Sequence, residues 1–189
     1  MRVIAGSARG IRLDVPRSTS IRPTTDANKA AIFSMLSPLA PFPKVLDLYA
    51  GTGGLGIEAL SRWGGEATFV ESERAAVQSL RRNLDRTRLR DQTVIDQGSL
   101  PRALDRLNGA FDLVLLDPPY DDPDIATVMI VLGERAMVAS NGIAVLEHTS
   151  RFQPSAEYGT LRLWKSRRHG DTILTLYDHG SGGIQNHEE

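Results

Sequence analysis

The stretch 44-KVLDLYAGTGGLG-56 decides the fold. Val45, Leu46 and Leu48 make a short apolar run that carries an acid, Asp47, and then breaks into glycines at 51, 53 and 56. A buried strand that enters a glycine-rich turn and continues as an apolar helix near 54–63 is the first unit of an open α/β sheet. Working outward, the same alternation repeats. Strands are expected at 67-ATFVES-72, 92-QTVIDQ-97, 111-FDLVLLD-117 and 142-GIAVLEH-148, with helices near 73–90, 100–107 and 123–139 between them. Short apolar strands separated by helices predict a mostly parallel sheet with helices on both faces. The segments 160-TLRLWKS-166 and 171-DTILTLYD-178 read as a hairpin that puts an antiparallel strand at one edge, for seven strands in all.

Upstream, 1-MRVIAGSARGIRLDVPR-17 reads as a short β-hairpin, and 27-ANKAAIFSML-36 as a helix capped by Thr25 or Asp26 and stopped by Pro38, Pro41 and Pro43. The expected organisation is an N-terminal extension over 1–25, one α/β domain over 26–179 and a mobile tail over 180–189. The 189 residues carry a net charge of −1 but are unevenly charged: residues 1–44 hold seven basic residues against two acids, a plausible nucleic-acid footprint. Without cysteine, disulfides and thiolate metal sites are excluded, and His148, His169, His179 and His187 are too scattered for a metal site. No transmembrane run and no secretory leader stand out, so a cytoplasmic protein with no membrane partner is expected.

In such a sheet, ligands bind beyond the carboxyl ends of the strands. Three ends should therefore meet: Asp47 with Gly51, Gly53 and Gly56; Glu71; and 117-DPPY-120. Glu71 follows Gly51 by twenty residues, the place for an acid that accepts hydrogen bonds from ribose hydroxyls. Asp47 would repel a dinucleotide's diphosphate and would suit a cationic tail. S-adenosylmethionine carries an ammonium and a sulfonium and no phosphate, and hydrophobic-Asp-x-x-x-Gly-x-Gly resembles the first motif of class I methyltransferases.

The segment 117-DPPY-120 stops a buried strand with two prolines that fix the backbone and remove two donors. What is left is an array of acceptors, the Asp117 carboxylate and the Pro118 carbonyl, shaped by Pro119 and flanked by the Tyr120 ring. Two acceptors out of the plane of a nucleobase amine can pull its nitrogen toward tetrahedral geometry and free the lone pair for attack. Tyr120 can stack on the base.

DPPY resembles the motif of amino-group methyltransferases that act on adenine N6, guanine N2 or glutamine N5. The segments 3-VIAGSARGIRLDVP-16, 22-RPTTDANKAAIFSML-36 and 46-LDLYAGTGGLGIEALSRWG-64 are together similar to the RsmD family, which methylates guanine N2 in 16S rRNA. The resemblance implies a class I, Rossmann-like methyltransferase fold, S-adenosylmethionine as cofactor, and rRNA in the 30S subunit or an assembly intermediate as substrate, with a monomer expected. Carried over by position, Asp47, Gly51 and Gly53 face the methionine end of the cofactor, and Gly98, Ser99 and Leu100 edge its adenine. A polar side chain is usual where this chain has Gly98. Thr25 either closes over the cofactor or merely caps its helix. Arg2, Arg9, Arg12, Arg17 and Arg22 would meet phosphates, and a loop guanine would have to leave its stack. Arg162, Lys165, Arg167 and Arg168 read instead as a charged sheet edge.

Other classes remain open to the sequence: a DNA adenine-N6 methyltransferase, though the chain has no room for a large recognition region; a nicotinamide-dependent oxidoreductase, which leaves Asp47 and DPPY unexplained; and a non-catalytic RNA-binding module.

Overall fold

The strands and helices come together around one sheet in the computed structural model, which describes residues 1–16 and 25–180. Strands β1 (Lys44–Leu48), β2 (Glu66–Glu71), β3 (Thr93–Gln97), β4 (Phe111–Leu116), β5 (Val138–Thr149), β6 (Glu157–Tyr158), β7 (Leu161–His169) and β8 (Thr172–Asp178) lie in the order β3-β2-β1-β4-β5-β8-β7-β6. The first five in that order are parallel to one another, and β8, β7 and β6 follow antiparallel. The helices are α1 (Asp26–Leu36), α2 (Gly54–Trp63), α3 (Arg74–Thr87) and α4 (Ile125–Glu134).

Among the described residues, eight strands stand where seven are expected. The addition is β6, whose two residues pair with Leu161 and Arg162 and are too short to show a period. The helix expected over 123–139 ends at Glu134, because Ala136 takes a positive φ of 49° and β5 starts at Val138. The segment 100–107 folds as a 3₁₀ turn over Arg102–Arg106. The N-terminal hairpin is a single bridge, Arg2 to Arg12, closed by the Val3 N–H on Ile11 O (2.9 Å) and the Gly10 N–H on Val3 O (2.9 Å). Arg17, Arg22 and the tail from 181 onward lie outside the described residues.

Side-chain alternation along the central strands divides the core into two layers. Val45, Leu113, Leu115, Ile143 and Val145 face α1, α2 and α3, where Ile32, Phe33, Leu60, Leu80 and Leu84 close over them. Leu46, Leu48, Val114, Leu116 and Leu146 face α4 and meet Val128, Met129 and Leu132. Each such side chain, when fully buried, contributes about 1.5–3 kcal/mol. Val3, Ala8 and Leu13 join the first layer, so the N-terminal segment is packed against α1, α2 and α3. On β7, Arg162 pairs with Glu157 (3.3 Å) while Lys165, Arg167 and Arg168 lie along the stretch beyond β6, a charged margin that discourages strand addition.

Candidate active site

The strand order reverses between β1 and β4, and the carboxyl ends of these two strands lie beside that of β2 at this switch point. After Leu48 the chain leaves the sheet through positive φ at Tyr49 (58°), Gly51 (55°) and Gly53 (85°). At Gly53 a Cβ would also lie 2.4 Å from Leu80 Cδ1, so glycine is required both for the left-handed cap of α2 and for the approach of α3. The turn is held from three sides. The Gly51 N–H donates to Glu71 Oε2 (2.7 Å), the Gly56 N–H donates to Asp47 Oδ2 (2.8 Å), and Asn83 Nδ2 of α3 donates to Thr52 O (2.9 Å).

Asp47 is only 2% exposed. Burial pushes its carboxyl up to about 8, the Gly56 N–H opposes this, and the charges of Asp117 and Glu71 add to it. At neutral pH a carboxyl so disposed mostly keeps its proton, and a cation beside it would favour the ionised form. Glu71 is anchored at both oxygens, since Oε1 accepts the Glu73 N–H (2.7 Å), which fixes its direction while leaving lone pairs for a further donor.

The strand β4 sets Asp117 two residues beyond Leu115, which is level with Asp47, so Asp117 points to the same face of the sheet. Pro118 is buried, Pro119 is exposed, and Tyr120 stands 38% exposed at the rim. The Asp122 N–H donates to Pro119 O (3.1 Å), closing the turn. Asp47 thus lies near enough to Asp117 and Glu71 to feel both charges, and Glu71 holds the Gly51 N–H at the same rim.

Gly98 lies at the end of β3, where its N–H donates to Glu71 O (3.0 Å). A Cβ there would sit 2.1 Å from Arg106 Nη2, which pairs with Asp96 at 2.5 Å. The side-chain space that sequence reasoning finds vacant at Gly98 is thus filled by a guanidinium from eight residues on. Ser99 is exposed and offers its carbonyl to the Ala103 N–H (2.9 Å), beside the half-buried Leu100. Thr25 accepts the Asn28 N–H (3.1 Å) and is the N-cap of α1. Arg2, Arg9 and Arg12 are exposed; Arg2 and Arg9 flank a small groove floored by Val3, Ile4 and Gly10, and Arg2 meets Asp26 at 3.4 Å.

Three supporting residues escape the sequence reading, Glu58, Asn83 and Glu147, and a fourth is corrected: Lys29, one of the seven basic residues counted over 1–44 as a nucleic-acid footprint, is wholly buried against Glu58 and faces no phosphate. Lys29 precedes Ile32, Phe33 and Leu36 by three, four and seven residues, so it falls on the apolar stripe of α1. Glu147 interrupts the apolar run of β5. A charge on an apolar stripe is the available signal for Lys29, Glu58 and Glu147; the uncharged Asn83 gives none.

No helix among the described residues is long and apolar enough to cross a membrane, and no three His, Cys, Asp or Glu residues among them gather as a metal site would need.

A parallel sheet that reverses at β1/β4, ends in an antiparallel hairpin and carries a glycine turn with acids on two adjacent strand ends defines the class I methyltransferase fold. Residues 1–178 match the family described as Conserved hypothetical protein 95, and the chain belongs to this family, the RsmD family of the N-terminal resemblance. The Ribosomal RNA small subunit methyltransferase D of Haemophilus influenzae is 33% identical over 94% of this chain and 93% of its own. The protein of the same name from Escherichia coli K12 is 32% identical over 78% and 74%. A solved structure of a hypothetical protein from Thermus thermophilus superposes with a TM-score of 0.79 at 31% identity, covering 94% of this chain and 99% of that one.

Proposed function

We propose that this chain transfers a methyl group from S-adenosylmethionine to the exocyclic N2 of a guanine in 16S rRNA, in a small ribosomal subunit or an assembly intermediate. The observation that carries this reading is the convergence of Asp47, Glu71 and Asp117 on one rim. The donor set fits the cofactor: Asp47 would take its ammonium, Glu71 its ribose hydroxyls, and the backbone around Gly98, Ser99 and Leu100 its adenine edge. When bound, the cofactor supplies an electrophilic methyl on a sulfonium whose leaving group is a neutral thioether.

The chain's own work is orientation. Asp117 and the Pro118 carbonyl accept the two N–H groups of the target amine and hold its nitrogen out of the ring plane. The lone pair would then point at the methyl carbon, a new N–C bond would form as the cofactor's C–S bond broke, and the nitrogen's surplus proton would pass to Asp117 or to water. Tyr120 stacks on the extruded base. Arg2, Arg9 and Arg12 contact phosphates, and the family names of the relatives favour rRNA over DNA. A cytoplasmic monomer fits the same reading. Incubation with unmodified small subunits and methyl-labelled cofactor, followed by mapping of the labelled nucleotide, tests it: label on a guanine N2 is expected, and label on another base or on DNA alone refutes it.

A further inference from the structure

One acid at the rim has no part in the chemistry just described. Glu147 lies near the end of β5, and the β4/β5 register pairs Leu115 with Val145 and Leu116 with Leu146. The next step along both strands brings Asp117 and Glu147 level on adjacent parallel strands, and alternation turns both to the face shared by Asp47. Glu147 is 4% exposed, deep for a carboxylate, and such a group needs hydrogen-bond donors around it. One donor is Asn28 Nδ2 of α1, 2.7 Å from Oε1. Asn28 follows the Thr25 cap, whose hydroxyl accepts its N–H (3.1 Å), so the first turn of α1 is joined to β5 at this carboxylate.

We propose, on the footing of guanine-N2 transfer, that Glu147 determines base specificity by accepting the N1–H of the target guanine. Guanine presents two adjacent donors on its Watson–Crick edge, N1–H and the N2 amine. With the amine on Asp117 and Pro118, the neighbouring N1–H falls toward the next strand, which is β5. Adenine offers a lone pair at N1 and meets the carboxylate with like-signed charge density, so it is rejected. Asn28 acts as a positioning residue that fixes which way the carboxylate turns.

The discriminating substrate is small-subunit RNA in which the mapped guanine is replaced by 2,6-diaminopurine. This base keeps the 2-amino group but carries an acceptor at N1. Glu147→Gln is the matched variant: its amide oxygen can still accept from Asn28, while its NH2 becomes a donor toward the base. The wild-type chain is expected to methylate guanine at least about tenfold faster than diaminopurine, since a site built to pair a donor rejects the analogue that lacks it. E147Q should lose about tenfold or more on guanine and narrow or reverse the preference, with cofactor affinity by calorimetry unchanged. A merely structural role for Glu147 would leave the ratio between the two bases as in the wild type, and that result overturns the proposal. So does an equal rate of the wild-type chain on the two bases, a measurement that does not depend on E147Q folding. A wild-type map with the methyl group on an atom other than guanine N2 refutes the underlying function itself, and is seen before any variant is made.

Discussion

Lys29 Nζ lies 3.1 Å from Glu58 Oε2, and both side chains are wholly buried between α1 and α2. The same carboxylate accepts the N–H groups of Ile4 (2.8 Å) and Ala5 (3.0 Å) and Arg62 Nε (2.8 Å), while Lys29 also donates to Arg2 O. One buried acid therefore ties the arginine-bearing N-terminal segment to α1 and α2. Removing one partner of a buried, hydrogen-bonded ion pair strands the other, so Glu58→Ala should cost about 3–5 kcal/mol in urea unfolding. Unfolding midpoints equal to wild type would contradict this role.

Asp47 predicts a pH dependence with a definite sign. Its carboxyl ionises near 3.8 when free and near 8 in the fold, so the fold favours the proton-bound form. Its contribution to apo stability is fully present below about 4 and is lost progressively as pH rises toward 8. Binding of a cationic ligand favours the ionised form, so binding should release a proton and tighten between pH 6 and 8, by at most about tenfold per pH unit. Asp47→Asn should flatten this rise, bind the cofactor more weakly at pH 8, and melt higher than wild type at that pH without ligand. Calorimetry in parallel on both proteins separates the effect from titration of the ligand's own amine.

Asp117 tests the chemistry itself. Asp117→Ala should lower kcat by about 10²-fold or more, the scale seen when one preorganised group is removed from a reacting centre. Cofactor affinity should change little, because the deletion leaves Asp47 and Glu71 in place. Single-turnover methylation with saturating cofactor reads the difference, and an unchanged rate would count against an amine-holding role.

Tyr120 is exposed enough to receive a base. Tyr120→Ala should weaken RNA binding by about 1–3 kcal/mol, and Tyr120→Phe should recover most of it, because stacking needs the ring and not the hydroxyl. A filter-binding series on the three proteins is sufficient, and a Phe variant as weak as the Ala variant would assign the effect to the hydroxyl.

The N-terminal arginines should act through charge. Arg9→Ala should reduce the slope of log affinity against log salt by about 1 if Arg9 meets one phosphate. Binding to RNA should fall most at low ionic strength, with cofactor affinity unmoved. A slope identical to wild type would move Arg9 off the RNA surface.

The local part of this molecule is legible in its sequence. The order of strands and helices, the Asp47 and glycine turn, Glu71 and the proline corner are each set by a few consecutive residues, whose polarity period and backbone limits act whatever the rest of the chain does. Tertiary structure decides what faces what. Asn28 and Glu147 are 119 residues apart, and Lys29 and Glu58 are brought together only by the docking of α1 on α2. Likewise, Arg106 fills the space at Gly98 because a 3₁₀ turn folds back over β3, and a glycine by itself does not say whether its empty side is open to a ligand or occupied. Register and helix docking are collective outcomes of the whole core. A charged residue on an apolar stripe therefore announces that a buried partner exists, and the fold alone says which one it is.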